Sequence, residues 1–204
     1  GNVLRYADDI IIAARTEGDA ERMGEILSEF LFLRGLELSS TKSHVVNMAE
    51  GFSFMSRFYI KKNGFFCVYP SEDSVSRFMT SIKDTIENHT GSQQGLINKI
   101  NRKIDGWTTY HKVEDSFDTF RRLDVYIKAQ LLKSCEDKHP KWDREKILEK
   151  YWYKERNGIY TYALPDKKEV RVKTMTDTLL ICHSKVKTNC LLYTSDAADE
   201  ARSV

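Results

Sequence analysis

No apolar run in this chain approaches the roughly twenty residues a helix needs to cross a bilayer, which argues against a membrane-spanning helix. Cysteine is sparse. Cys67, Cys135, Cys182 and Cys190 form no CxxC pair, so neither a zinc ribbon nor a disulfide framework is indicated. Scattered thiols suit a reducing compartment, and a cytoplasmic location with no membrane partner is the expectation. Net charge is only +2, too small for the total to point to a nucleic-acid partner. No internal repeat and no low-complexity linker breaks the sequence.

What is present suits a soluble globular chain: 204 residues, 41% hydrophobic and 30% charged, are enough for one large domain or two small ones. Basic residues concentrate in three segments, Lys99 to Lys112, Lys138 to Arg156 and Lys167 to Lys187, and for a nucleic-acid partner that distribution carries more weight than the sum.

The densest signal is Tyr6-Ala7-Asp8-Asp9, between Val3-Leu4 and Ile10-Ile11-Ile12-Ala13-Ala14. Two apolar runs around a short polar break read as a β-hairpin with paired carboxylates at its tip. Adjacent carboxylates repel, so presenting them together is unfavourable unless a divalent cation or cationic substrate neutralises them. A polar Asp-Asp turn is the plainer reading of the same residues.

Thr16-Glu17-Gly18-Asp19 is a capping-box pattern. It opens a helix with Ala20, Met23, Ile26, Leu27 and Phe30 at helical spacing, closed by Gly35. Short strands are expected at Leu36–Leu38 and Ser43–Met48. Longer ones are expected at Phe52–Ile60 and Phe65–Tyr69, around the hairpin signal Asn63-Gly64. At Pro70 the pattern changes. Ser71 caps a helix carrying Val75, Phe78, Met79, Ile82 and Ile86. After a break at His89–Gln94, the same periodicity continues through Leu96, Ile97, Ile100 and Ile104. Phe117, Phe120, Leu123, Ile127 and Leu131 make a third helix, and Asp143 caps a fourth that ends near Trp152. Beyond Gly158, β-like stretches return at Ile159–Ala163 and Val170–Lys173.

The tetrad and the residues after it resemble the group II intron-encoded reverse transcriptase/maturase family, over Val3 to about Asn189. Several elements carry the resemblance in order. Gly51-Phe52-Ser53-Phe54-Met55-Ser56-Arg57-Phe58 is similar to the family's primer-gripping FxFLGF hairpin, with Ser56 in place of Gly. Phe52, Phe54 and Phe58 equally suit a half-buried strand and read as core. Ile104-Asp105-Gly106-Trp107-Thr108-Thr109-Tyr110-His111, Lys138-His139-Pro140-Lys141 and Lys150-Tyr151-Trp152 resemble the thumb and maturase (X) region. Trp107 and Tyr110 there are also what a packed bundle needs. Ile181-Cys182-His183-Ser184-Lys185-Val186-Lys187 resembles a late I-x-R-H-x-K-[IV]-K element, with Cys182 where Arg is usual.

By this resemblance the chain is an α+β protein. Residues 1–69 correspond to the distal part of a reverse-transcriptase palm, an antiparallel hairpin sheet with one covering helix. Residues 70–157 correspond to the helical thumb and maturase domain, and 158–189 to an incomplete extension. The implied activity is RNA-directed DNA polymerisation with an intron-splicing role, its partners intron RNA template, DNA primer and deoxynucleoside triphosphates. The implied cofactor is a pair of Mg²⁺ ions, with Asp8 and Asp9 as metal ligands. Tyr6 and Ala7 would lie at the primer end and nucleotide, and Lys42 near the leaving pyrophosphate; as a loop lysine, Lys42 equally reads as solvent-facing. Lys99, Arg102, Lys103, Lys112, Lys141, Lys150, His183, Lys185 and Lys187 are candidate RNA contacts; the first six read more simply as solvated surface charges, and His183 equally as the cap of a strand end. The family's earlier palm aspartate and fingers do not precede Gly1, so a C-terminal part of such an enzyme is expected, inactive in synthesis by itself. A splicing factor that binds RNA without copying it is the alternative.

Cys190-Leu191-Leu192-Tyr193-Thr194-Ser195-Asp196-Ala197-Ala198-Asp199-Glu200 reads as a translation of a sequencing-library transposon adapter. Residues 190–204 are therefore expected to be non-native. They contribute −2 of charge and leave +4 for the remainder.

Overall fold

The computed structural model describes residues 2–112, 115–156 and 158–177. Among them the chain is mixed α and β, with five helices and three small sheets. No described helix is long and apolar enough to cross a membrane.

Strands β1 (Asn2–Tyr6) and β2 (Asp9–Ala13) pair antiparallel from Asn2↔Ala13 to Tyr6↔Asp9. Helix α1 (Glu17–Phe32) comes next, with Thr16 Oγ1 accepting from the Asp19 amide at 3.2 Å, as the capping pattern predicts. The chain leaves α1 through Gly35, at φ +71°, a left-handed conformation that glycine adopts without steric penalty. Leu36–Leu38 and Ser43–Met48 are irregular and not strands. Local turns take up much of the backbone, with Ser43 donating to Ser39 and Gly51 to Asn47, and the Met48 carbonyl accepts from the Lys61 amide at 2.8 Å.

Strands β3 (Phe52–Phe54), β4 (Arg57–Lys62) and β5 (Phe65–Pro70) lie in that order in one sheet. The single strand expected over Phe52–Ile60 is divided by Met55 and Ser56, at φ +49° and +64°. Asn63 and Gly64, at φ +50° and +85°, form the turn that the Asn-Gly pair predicts. Phe52, Phe54 and Phe58 are half-buried and not core; in this sheet only Ile60 is a buried hydrophobic. Strands joined by two-residue turns twist and splay, and this narrow sheet covers one face incompletely.

The chain divides into two compact units. The first holds the described residues up to Phe52, with Tyr59–Phe66. In it α1 buries no residue fully. Ala20, Met23, Leu27 and Leu31 are half-covered, whereas Ile26 and Phe30, read from periodicity as part of the same stripe, are 60% and 49% exposed.

The second unit holds Ser53–Phe58 and the described residues from Cys67 onward. Its helices are α2 (Glu72–Glu87), α3 (Gln93–His111), α4 (Phe117–Lys138) and α5 (Arg144–Tyr151). Side chains of Ser71, Ser92 and Asp143 cap α2, α3 and α5. Val75, Phe78, Ile82 and Ile86 from α2 meet Leu96, Ile97, Ile100 and Ile104 from α3 and Phe120, Leu123, Ile127 and Leu131 from α4 in one core. At roughly 1.5–3 kcal/mol for each side chain removed from water, this cluster dominates the unit's stability. Phe117, read as part of that stripe, is 43% exposed because it begins the helix ahead of the packed turns.

The helix expected to end near Trp152 stops at Tyr151, and Trp152–Lys154 is strand β6, paired antiparallel with β7 (Tyr160–Tyr162). An isolated antiparallel bridge, Ala163↔Arg171, follows β7. The segment after it is pinned across two helices. Asn101 of α3 bonds both the Arg171 carbonyl and the Lys173 amide, and Asp124 of α4 accepts from the amides of Met175 and Thr176.

Candidate functional site

In the first unit the hairpin places the tetrad as its residues suggest. Tyr6 and Asp9 are the last register pair, which leaves Ala7 and Asp8 as the two-residue loop. Ala7 sits at φ +50°, where a residue with a Cβ is disfavoured by about 1–2 kcal/mol. Arg5 Nε donates to the Ala7 carbonyl at 2.9 Å and braces this conformation. Asp8 and Asp9 are both exposed, as is Tyr6. Their oxygens are hard donors of the kind Mg²⁺ takes. Among the described residues they stand in no cluster of three His, Cys, Asp or Glu groups.

Lys42 is exposed on a turn in the same unit. Its amide donates to the Ser39 carbonyl at 3.1 Å, and the turn is closed by a 3.1 Å contact between the Ser39 and Thr41 hydroxyls. Among the described residues the Lys42 ammonium makes no ion pair with Asp8 or Asp9.

The basic candidates of the second unit fall into separate groups. Lys99 and Arg102 are exposed on α3, where Arg102 Nε turns back to the Asn98 carbonyl at 3.4 Å. Lys103 is half-buried and donates to Ser81 Oγ at 2.6 Å across the α2–α3 seam. It borders an open groove with Ser76, Arg77, Thr80, Asp84 and Thr85. Lys112 is half-buried just past α3, and Lys141 is exposed before α5. His183, Lys185 and Lys187 lie outside the described residues, as do Cys182 and the whole of 190–204.

Several other cations of this unit are occupied. Arg77 pairs with Asp73, Arg122 makes a bidentate contact with Glu72, Arg171 reaches Glu155, and Lys173 reaches Asp105. Lys150 differs. Its ammonium lies 4.8 Å over the Trp142 ring and 5.3 Å from that of Tyr151. Lys146 approaches Trp142 at 4.9 Å. His139 stacks on the same indole, 4.0 Å between centroids and 10° between planes, while its Nε2 meets the Tyr151 hydroxyl at 2.7 Å.

Lys141 and Lys150 stand out in the sequence as basic candidates, whereas Trp142 and Lys146 do not. The signal that could have found them is the i, i+4 spacing of Lys146 and Lys150 beside an aromatic residue just ahead of the helix cap.

Trp107 and Tyr110 serve the interior and a turn. Trp107 packs among Phe78, His111 and Phe120, and Tyr110 donates its hydroxyl hydrogen to Met55.

Residues 75–152, from α2 to the start of β6, match the family described as Group II intron, maturase-specific domain. The chain is therefore similar to that domain across the helices of its second unit. It is similar to Maturase-like protein 1 of Euglena longa, 32% identical over 115 residues that make up 53% of this chain. The match spans 25% of that relative's length.

Proposed function

We propose that the chain supplies the intron-RNA-binding part of a group II intron maturase and assists splicing of that RNA. The observation that carries this reading is the match of residues 75–152 to a maturase-specific domain, on the helices that display the cationic residues. Helices packed on one apolar core present those charges at fixed positions, so an RNA backbone meets preplaced cations. A reducing, cytoplasmic setting is compatible with the free thiols of Cys67 and Cys135. Binding of a folded group II intron transcript, compared with an unrelated structured RNA of equal length, tests the reading. Tighter, salt-dependent binding of the intron is expected, and equal affinity for both RNAs would reject it.

The exposed Asp8-Asp9 tip favours a second reading for the intact protein, RNA-directed DNA synthesis. In it residues 1–69 act as part of a palm and the helices as a thumb. Asp8 and Asp9 would hold Mg²⁺, with a further carboxylate from the rest of the enzyme. Bound there, the metal would activate the primer hydroxyl and neutralise charge on the departing pyrophosphate. Tyr6 and Ala7 would border the primer end and the incoming deoxynucleotide, and Lys42 would offset phosphate charge.

A further inference from the structure

We infer that Lys146 and Lys150, held over the Trp142 ring, form a clamp for the phosphate backbone of a single RNA strand. The inference rests on the RNA-binding reading above and deepens it by naming the contact.

The two lysines sit at i and i+4 of α5, where like charges repel. Both ammoniums lie over one ring, at 4.9 and 4.8 Å from its centroid, and so within about 10 Å of each other. The π face compensates part of the repulsion and fixes each flexible side chain in place. Among the described residues neither ammonium is within ion-pairing distance of a carboxylate. Asp143, the nearest acidic residue in sequence to Trp142, is engaged by the Lys146 amide at 2.8 Å. The arginines and lysines elsewhere in this unit that do have acidic partners meet them directly.

The ring itself is positioned. His139 stacks on it and bonds Tyr151, which is half-buried and stacks at 6.3 Å on the buried Tyr162. The indole is thus tied through two aromatic groups to the core, and the ammoniums inherit that placement. A compact ammonium presents three donors, and those turned away from the ring remain for phosphate oxygens. With His139 already on the indole, a nucleobase is not the ligand this geometry favours. Backbone phosphate fits, and such a contact is independent of sequence.

The test uses the full chain and a fluorescent single-stranded oligoribonucleotide, titrated between about 50 and 200 mM salt. Lys146→Gln with Lys150→Gln should lower the slope of log affinity against log salt by about 1.4, at roughly 0.7 for each phosphate no longer neutralised. Trp142→Leu keeps both charges but frees them, and should weaken binding by a smaller amount that Trp142→Phe restores. Lys99→Gln with Arg102→Gln measures whether any pair of surface charges would do the same. Wild-type binding with a slope unchanged in the Lys146/Lys150 variant overturns the clamp and leaves the RNA-binding reading standing. Equal losses from both double variants also overturn it as a distinct site. If the wild-type chain binds neither this RNA nor an intron transcript, both readings fall.

Discussion

Tyr110, near the end of α3, donates its hydroxyl hydrogen to the carbonyl oxygen of Met55, 2.7 Å away. The guanidinium of Arg57 lies 4.5 Å over the Tyr110 ring and donates to the Tyr110 carbonyl at 3.0 Å. These contacts bracket the turn at Met55 and Ser56, where two consecutive residues with a Cβ hold positive φ. Ser56 also accepts from the Ser71 amide at 2.9 Å, so the turn is fixed from the cap of α2 as well. A conformation that local sterics disfavour is maintained by contacts from two helices.

Ser56→Gly should therefore stabilise the second unit by about 1 kcal/mol, the left-handed penalty of a single residue. The +64° torsion at Ser56 is one that glycine adopts without steric penalty. Urea unfolding followed by circular dichroism should show a higher midpoint with unchanged steepness. A lower midpoint would mean that the serine gains more from its surroundings than the torsion loses.

Asp124 should be the strongest single polar anchor of the segment after β7. Its carboxylate accepts from Met175 N at 2.7 Å, Thr176 N at 3.1 Å and Thr176 Oγ1 at 2.5 Å. Bonds to a charged acceptor are worth roughly 1.5–3 kcal/mol, so Asp124→Ala should destabilise docking of this segment by about 2 kcal/mol. The amides of Met175 and Thr176 should lose exchange protection while those of Ile97 and Ile100 keep theirs. Equal loss throughout would show that the segment and the helical core open as one.

Burial pushes the Cys135 thiol up to about 11, with the Lys138 charge opposing the shift. The reactive species is the thiolate, so near pH 8 only about one Cys135 in a thousand is available. Iodoacetamide labelling followed by peptide mass spectrometry should show Cys135 reacting about a hundredfold more slowly in the folded chain than in the unfolded chain, and gaining toward pH 11. The stability effect has a definite sign. The folded chain holds this proton more tightly than the unfolded chain, as it does the Tyr162 proton, also held up by burial. Stability from these groups is present below the ordinary thiol range and falls as pH rises above it. Rapid labelling of Cys135 at pH 8 would instead reveal frequent opening around α4.

The caps at Thr16, Ser71 and Asp143 and the apolar stripe of α2 through α4 were readable because they depend on neighbours within a few residues. The Asn63-Gly64 turn was readable for the same reason. The turn at Met55 was not, since nothing in Met-Ser favours positive φ and contacts from α3 impose it. Strand β6 was also hidden. The helix end near Trp152 was readable, but the extended form of Trp152–Lys154 depends on pairing with the distant Tyr160–Tyr162. Ile26 and Phe30 show the opposite failure, apolar spacing without a surface to cover it. Of the candidate sites, the carboxylate tip was legible as a local hairpin. The Trp142 cluster was legible only in part, because the Lys146 and Lys150 spacing beside Trp142 is local, whereas the stacking of His139 on the indole and its bond to Tyr151 are not signalled by spacing.

Asp8→Asn gives the sharpest separation between the two proposed activities. Asparagine suits a two-residue hairpin loop as well as aspartate does, so the Tyr6↔Asp9 pairing should survive the change. What is removed is a charge. A hard divalent cation needs the carboxylate, and a neutral amide oxygen binds it far more weakly. In the intact enzyme, primer extension on an RNA template should fall to background, and added Mg²⁺ should restore little of it. Binding of intron RNA should be unchanged or slightly tighter, because the loop loses a repulsive charge. Copying at the wild-type rate would remove Asp8 from the metal site. Loss of both copying and RNA binding would mean that the substitution disturbs the fold, which an unaltered circular dichroism spectrum and unfolding midpoint would argue against. The outcome that fits both readings is selective: synthesis lost, RNA held.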